Sequence, residues 1–219
     1  VEILMSKVLI TGGTGSLGRT LAEYFLVNTD KTVCILSRDE VKQAQMAHDF
    51  RLYSDRMRFF LGDVRDRARL DTALHGVQWV VHAAALKRID NVCYDPEEVW
   101  KTNIQGTSNV LHAAMQMGVE KVLLISSDKA CYPTNAYGVS KAMAEWNTVT
   151  FNSYGYPRGL MSSVLRYGNV LGSRGSVLKI WSDQIKETGT VNLTHSDMTR
   201  YLLTLNQAAN LVGNCLEDM

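Results

Sequence analysis

The sequence predicts a doubly wound α/β fold built on a parallel sheet. Three observations carry that expectation: short apolar runs rich in β-branched residues, helix-patterned segments between them, and a glycine-rich turn directly after the first run. Continuous rather than alternating apolar runs suit strands covered by helices on both faces. The runs are Val8-Leu9-Ile10, Val33-Cys34-Ile35-Leu36, Phe59-Phe60-Leu61, Trp79-Val80-Val81, Val122-Leu123-Leu124-Ile125 and Val164-Leu165. Between them, Leu17, Leu21 and Phe25 recur every four residues, and Ala68 to Leu74 gives a second helical pattern. The longest helix is expected from Asp95 to Met117, with Asp95 as N-cap, Pro96 at the first helical position, Glu97 and Glu98 in the first turn and Gly118 as the stop. Right-handed crossovers between such strands place a ligand across their carboxyl ends. After Leu171 the pattern loosens into a helix near Ser176 to Lys186, a short strand near Val191 and a last helix from about Asn206.

Composition bounds the function. At 219 residues, with 46% hydrophobic and 21% charged residues, 16 Gly and 3 Pro, the chain suits one large globular domain and excludes disorder, collagen-like repeats and coiled coil. Lys+Arg 23 against Asp+Glu 22 leaves +1, so no global field draws it to nucleic acid or an anionic membrane, and any phosphate must be recognised locally. Cys34, Cys93, Cys131 and Cys215 are widely spaced, which fits neither a disulfide framework nor a zinc site; no metal is expected. With no apolar run long enough to cross a bilayer and no signal-peptide pattern, a soluble cytoplasmic protein is expected.

After the first strand comes Thr11-Gly12-Gly13-Thr14-Gly15-Ser16-Leu17-Gly18, which contains both G-x-x-G-x-x-G and G-x-G-x-x-G. Glycines there permit a tight turn and close approach of a pyrophosphate, whose charge meets the N-terminus of the next helix. The expected fold is therefore a Rossmann dinucleotide-binding domain. At the end of the second strand, where a carboxylate would hold the ribose hydroxyls of NAD, stand Ser37 and Arg38. A guanidinium suits a 2′-phosphate, so NADP is expected ahead of NAD, with Lys42 one turn on as a second cation. Asp63-Val64 closes the third strand, where a short polar side chain can hydrogen-bond adenine, and Ala83-Ala84-Ala85 follows the fourth, where small residues let the backbone lie against the cofactor.

Tyr137 and Lys141 stand at i and i+4 on one helix face, after a strand that ends in Ser126-Ser127. A lysine beside a tyrosine lowers the phenol from its ordinary value of about 10 and prepares a base for an alcohol that is to lose hydride. Cys131, Met115, Met117 and Trp146 are read as packing residues.

These motifs, with His82-Ala83-Ala84-Ala85 and Arg166-Tyr167-Gly168-Asn169-Val170, resemble the extended short-chain dehydrogenase/reductase superfamily. Within it, Ser37-Arg38-Asp39-Glu40, Gly62-Asp63-Val64-Arg65-Asp66, Ala83-Ala84-Ala85-Leu86-Lys87, Ser127-Asp128-Lys129-Ala130, Ser173-Arg174-Gly175-Ser176 and Met198-Thr199-Arg200 resemble the UDP-N-acetylglucosamine 4,6-dehydratases of polysaccharide and nonulosonic-acid biosynthesis. Asp128-Lys129, where the dTDP-glucose type carries Asp-Glu, resembles the branch that inverts carbon 5. The resemblance implies a transient ketone at carbon 4, loss of the carbon 5 proton and carbon 6 hydroxyl, and return of hydride to carbon 6. Lys129 is then the base, provided burial and nearby positive charge lower its pKa, and Asp128 the acid. Ser126, Tyr167, Gly168 and Val170 are implied at the cofactor, and Lys87, Ser127, Asn169 and Arg200 at a UDP-sugar; Asn103 is implied as a support. The family also implies a longer chain, so residues 5–170 form the NAD(P)-binding domain and 171–219 a small, truncated substrate lobe interleaved with it. Exposed Leu211, Val212 and Leu216 would then want a partner surface, and the fourth and fifth helices would form a bundle in a homo-oligomer. Two alternatives remain: a nucleotide-sugar 4-epimerase or reductase, which needs no Asp-Lys pair, and a dinucleotide-sensing regulator without turnover, in which Tyr137 and Lys141 need not have been kept.

Overall fold

All six apolar runs form strands of one parallel sheet in the computed structural model, which describes residues 6–87, 94–173, 177–193 and 195–219. The strands are β1 (Lys7–Thr11), β2 (Thr32–Ser37), β3 (Met57–Leu61), β4 (Trp79–His82), β5 (Lys121–Ile125) and β6 (Met161–Leu165), in the order β3-β2-β1-β4-β5-β6. Leu9 of β1 lies opposite both Cys34 of β2 and Val80 of β4. The strand order reverses between β1 and β4, which opens a crevice at their carboxyl ends.

Alternate residues of each strand enter two cores. Val8, Ile10, Val33 and Ile35 pack with Leu21 and Phe25 of α1 (Ser16–Asn28) and Met46 of α2 (Glu40–Asp49). Leu9, Cys34, Leu36 and Val80 pack on the other face with Leu70 of α3 (Arg67–Ala73) and with the fourth helix. Both faces are covered, which is why the runs are apolar without interruption. Each fully buried Leu or Ile contributes roughly 1.5–3 kcal/mol.

Helix α4 runs through three segments, Pro96–Val99, a π-helical Trp100–Gln105 and Gly106–Met117. Its ends are as expected: Pro96 stands in the first turn, and Gly118 closes the helix in the left-handed conformation at φ 73°. The π-helical turn is not signalled by the sequence. After β5 and a 3-10 turn (Asp128–Ala130) comes α5 (Ala136–Thr150), capped by the Asn135 side chain on the Gly138 N–H. The tail comprises α6 (Val177–Thr188), a parallel pair of short strands, β7 (Asn169–Val170) and β8 (Leu202–Leu203), and α7 (Leu205–Asp218).

Four expectations are corrected. No strand forms near Val191: Gly189 ends α6 at φ 71°, and Val191 and Leu193 lie exposed without pairing, whereas Leu202–Leu203 pairs with β7. Val212 and Leu216 are fully buried against α1 and β5, so only Leu211, 42% exposed, remains of the surface expected on the last helix. The Lys121 ammonium donates to the Leu216 carbonyl at 2.7 Å and ties that helix to the sheet. Helix α7 therefore packs into the core of the six-stranded sheet beside α1, and the chain leaves that core between Leu171 and Leu203. Trp146 is 70% exposed on the outer face of α5, not packed, although Met115 and Met117 do rest against the core. Cys131 is exposed, its thiol 3.2 Å from a guanidinium nitrogen of Arg166. Cys93 and the Arg174 to Ser176 stretch lie outside the described residues. No helix among the described residues is long and apolar enough to cross a membrane.

Candidate active site

The glycine turn is shaped by contacts that exclude side chains. Gly12 adopts φ 68°, and a Cβ there would stand 3.0 Å from the Ala84 backbone. At Gly18 a Cβ would meet the Gly13 carbonyl at 2.4 Å, which keeps α1 against β1. The Gly12 N–H donates to the Leu36 carbonyl and the Gly15 N–H to the Gly12 carbonyl, both at 2.9 Å. Gly15 takes the N-cap of α1 without a side-chain cap. This turn, including Thr14, Ser16 and Leu17, walls one side of a cleft of about 1420 Å³ along the carboxyl ends of the strands.

Ser37, Arg38, Lys42, Asp63 and Val64 line one end of that cleft, and each cation there already has an anionic partner. Arg38 faces Asp63 at 3.5 Å, while Arg65 grips the same carboxylate at 2.7 Å and reaches Glu98 at 2.6 Å. Burial works to raise the Asp63 pKa, but the hydrogen bonds and charge of Arg65 hold it below the usual carboxylate range. Lys42 pairs with Asp39, whose carboxylate also accepts the Lys42 N–H and so caps α2. The expected second free cation is thus engaged by an acid three residues before it, and the Asp63 carboxylate expected at adenine is held by arginines.

At the other end, Ala83, Ala84, Ala85, Lys87, Ser126, Ser127, Lys129, Tyr137, Lys141, Tyr167, Gly168, Asn169 and Val170 face the cleft. The Lys129 ammonium donates to Asp128 Oδ1 at 3.0 Å and to Asn169 Oδ1 at 2.9 Å. Asp128 also accepts from Ser127 at 2.9 Å and does not itself line the cleft. Burial works to raise its pKa, yet the hydrogen bonds from Lys129 and Ser127 bring it below the ordinary value. In this geometry Asp128 is the ionised partner of Lys129 rather than a protonated acid. Partial burial and the charge of Lys129 lower the ammonium of Lys87.

The Tyr137 and Lys141 pair departs from the expectation of a lowered phenol. Lys141 is buried and donates to the Ile125 carbonyl at 2.6 Å; burial lowers its pKa to about 8, against an opposing pull from Glu145. Burial raises the Tyr137 phenol, with Ser127 acting the other way and the Asp128 charge adding to the rise. Burial likewise raises the Tyr167 phenol. Gly168 sits where a Cβ would strike the Tyr201 carbonyl at 2.3 Å, and the Asn169 N–H donates to that carbonyl at 2.8 Å, so Tyr201 fixes the Asn169 segment. Arg200 does not line the cleft: its exposed side chain folds back on the Thr199 carbonyl at 2.6 Å.

The π-helical turn contributes two residues to the site. Asn103 donates to the Leu86 carbonyl and to Ser140 Oγ, both at 2.9 Å, and accepts the Leu86 N–H at 2.8 Å. It thereby locks the segment after β4 onto α5, by direct bonds rather than through solvent. Thr102 forms part of the cleft wall with a buried hydroxyl that has no hydrogen-bond partner among the described residues. Glu145, one turn beyond Lys141, was not singled out; its signal lies in the i, i+4, i+8 spacing Tyr137, Lys141, Glu145.

Residues 8–219 match the family described as "Polysaccharide biosynthesis protein". The chain belongs to that family. Its relatives there include a UDP-glucose 4-epimerase of Rickettsia conorii, 42% identical over 209 residues covering 94% of this chain and 61% of the relative. An inverting UDP-N-acetylglucosamine 4,6-dehydratase of Campylobacter jejuni is 41% identical over 215 residues, covering 97% and 64%. The X-ray structure of Pen from Bacillus thuringiensis superposes with a TM-score of 0.93 at 36% identity, over 97% of this chain and 65% of that one. The chain thus spans 61–64% of the length of these curated family members. Relatives named as an epimerase and as a dehydratase match at nearly equal identity, so overall similarity does not separate the two.

Proposed function

We propose that this chain carries the cofactor and catalytic half of an NADP-dependent dehydratase that removes water from a UDP-N-acetylhexosamine, UDP-N-acetylglucosamine foremost, with inversion at carbon 5. The observation that carries this reading is Lys129, held by Asp128 and Asn169, in the same end of the cleft as Tyr137 and Lys141. The residues fit a dinucleotide: a cradle at Gly12 that a Cβ would fill, an uncapped helix start at Gly15, and Arg38 at the edge. Bound NADP would supply a hydride acceptor for carbon 4 and a hydride donor for carbon 6.

Tyr137 takes the carbon 4 hydroxyl proton. It does so as the phenolate, which burial disfavours and which the Lys141 ammonium, the resident cation, stabilises. The resulting ketone acidifies the carbon 5 hydrogen. In the ion pair, Lys129 holds a proton that Asp128 lacks. Transfer of that proton across the 3.0 Å contact, favoured once substrate excludes water, leaves a neutral amine as base and a carboxyl as acid. The amine then takes the carbon 5 proton. The carboxyl, which stands behind the cleft wall, passes its proton to the departing carbon 6 hydroxyl through the Ser127 hydroxyl that bonds it and faces the cleft. Water forms, and the pair returns to its starting charges. Solvent returns a proton to carbon 5 on the opposite face.

A 4-epimerase is the second reading, favoured by the 42% identity to a relative of that name. It uses Tyr137 and Lys141 and leaves Lys129 without a chemical step. Incubation of UDP-N-acetylglucosamine with protein and NADP, followed by mass, separates them. Loss of water supports dehydration; unchanged mass with carbon 4 inverted supports epimerisation; unchanged substrate beside verified cofactor binding rejects both.

Arg38→Ala should weaken NADP binding by about tenfold or more while changing NAD binding little, since charge-assisted bonds to phosphate are the stronger kind. Calorimetric titration with both cofactors measures this, and equal losses would remove Arg38 from reading the 2′-phosphate.

We also propose a homo-oligomer. Val139, Met143, Trp146 and Val149 form an exposed apolar stripe on α5, beside the half-exposed Trp100 of α4. Light scattering at micromolar concentration should give at least twice the 24.5 kDa chain mass, and Trp146→Glu should return it to one chain. A monomeric wild-type protein would sink the assembly.

A further inference from the structure

Lys141 is a buried ammonium whose one hydrogen bond among the described residues goes to the Ile125 carbonyl, so two of its three donors have no acceptor. A cation so placed is costly unless an anion acts on it. Glu145 stands one turn further along α5 on the same face, itself largely buried. Its carboxylate is clamped from two sides: Arg166 Nε lies 2.8 and 2.9 Å from its two oxygens with Nη2 bonding as well, and Ser126 Oγ donates to Oε1. Ser126 follows Ile125, so adjacent residues at the end of β5 hold the lysine and the carboxylate in fixed register.

The other groups around Lys141 supply no counter-charge. His82, at the end of β4, is kept neutral by burial, with a pKa pushed down to about 3. Tyr137 on α5 and Tyr167 after β6 are phenols raised by burial. Asp128 and Lys129 pair with each other, and Arg166, next to the exposed Cys131, is engaged by Glu145.

We propose that Glu145 is a positioning residue for Lys141: fixed by Arg166 and Ser126, its carboxylate is the counter-charge that holds Lys141 as an ammonium beneath the reacting end of the cleft. The proposal rests on the reading that Lys141 serves Tyr137, and it gives the Glu145–Arg166 pair a role beyond fastening α5 to the end of β6. Because half of the Arg166 side chain is solvent-exposed while Glu145 is not, removing either partner has a different electrostatic result. Without Glu145 the ammonium loses its anion. Without Arg166 the anion acts on Lys141 undivided.

The test reads Lys141 directly. Full-length protein carrying lysine labelled with 13C at Cε is titrated by NMR, and the Lys141 signal is assigned by its loss in Lys141→Met. In wild type the signal should titrate near pH 8, below the ordinary lysine value. Glu145→Gln should move its midpoint to lower pH, and Arg166→Gln to higher pH. A loosened fold would move both in the same direction, so opposite signs identify the charge. An unmoved midpoint in Glu145→Gln overturns the proposal. If that variant does not fold, Arg166→Gln decides: a raised midpoint supports the role, and an unmoved or lowered one overturns it. Since the titration needs neither cofactor nor sugar, it can succeed even where UDP-N-acetylglucosamine proves not to be dehydrated, which separates failure of this proposal from failure of the functional reading.

Discussion

Lys129→Ala should still let a sugar nucleotide reduce bound NADP while forming no dehydrated product, whereas Tyr137→Phe should stop both. The separation follows from the roles proposed for the two groups. Tyr137 handles the carbon 4 alcohol, and without its hydroxyl the hydride transfer loses its base, a loss of about 10²–10⁴-fold. Lys129 handles the next proton, so its removal leaves the ketone formed and the carbon 5 proton in place. Absorbance of reduced cofactor in single turnover measures the first half, and mass of the sugar nucleotide the second. Wild-type turnover in deuterated water should place one deuterium at carbon 5. If Lys129→Ala dehydrates at an undiminished rate, the lysine leaves the mechanism and the case for inversion loses its main support.

Acidification from pH 7.5 to 5 should cost the folded protein about 2 kcal/mol through His82 alone. This side chain is wholly buried, with Nδ1 2.7 Å from Thr11 Oγ1 and Nε2 3.0 Å from Thr107 Oγ1. Burial, with the Lys141 charge adding to it, lowers its pKa from 6.5 to about 3. Between those values the unfolded chain binds a proton that the folded chain does not. Stability is therefore complete above pH 6.5 and lost as pH falls toward 3, at about 1.4 kcal/mol per pH unit. Urea denaturation of wild type and His82→Gln at pH 7.5 and pH 5 isolates this contribution, because other titrating groups are common to both. The variant should lose about 2 kcal/mol less over that interval; equal losses would show that His82 takes up its proton in the folded state.

Features set by near neighbours in the chain were legible. The strands followed from uninterrupted apolar runs, the tight turn after β1 from glycine spacing, and the common face of Tyr137 and Lys141 from a separation of four. What escaped depends on distant partners. Strands β7 and β8 are two residues each and thirty-odd residues apart, too short for any period to declare them. The apolar stripe of α7 predicts a face but not its cover, which turned out to be α1 and the sheet. Helix α5 buries Ser140, Lys141, Glu145 and Thr148 and leaves Val139, Met143, Trp146 and Val149 exposed, so apolar spacing marked its outer face as the interior one. The π-helical turn at Trp100–Gln105 is a matter of fit, since it lets Asn103 reach Leu86 and Ser140 together. Charge pairs behaved alike: Arg38 and Lys42 were readable as cations, but Asp63 and Asp39 as their partners were not.

The pairing of β7 with β8 has a consequence for how such proteins diversify. The Leu171 N–H donates to the Leu203 carbonyl at 2.8 Å, so the chain departs for its excursion and comes back through neighbouring positions. An insert whose ends are held side by side can change length at little entropic cost, since loop closure depends only on the logarithm of length. Segments of different size and sequence can therefore be exchanged above an unaltered six-stranded sheet. A transplant of residues 172–200 between this chain and a relative named as an epimerase would be the direct use of that port, with the sheet and its covering helices left untouched.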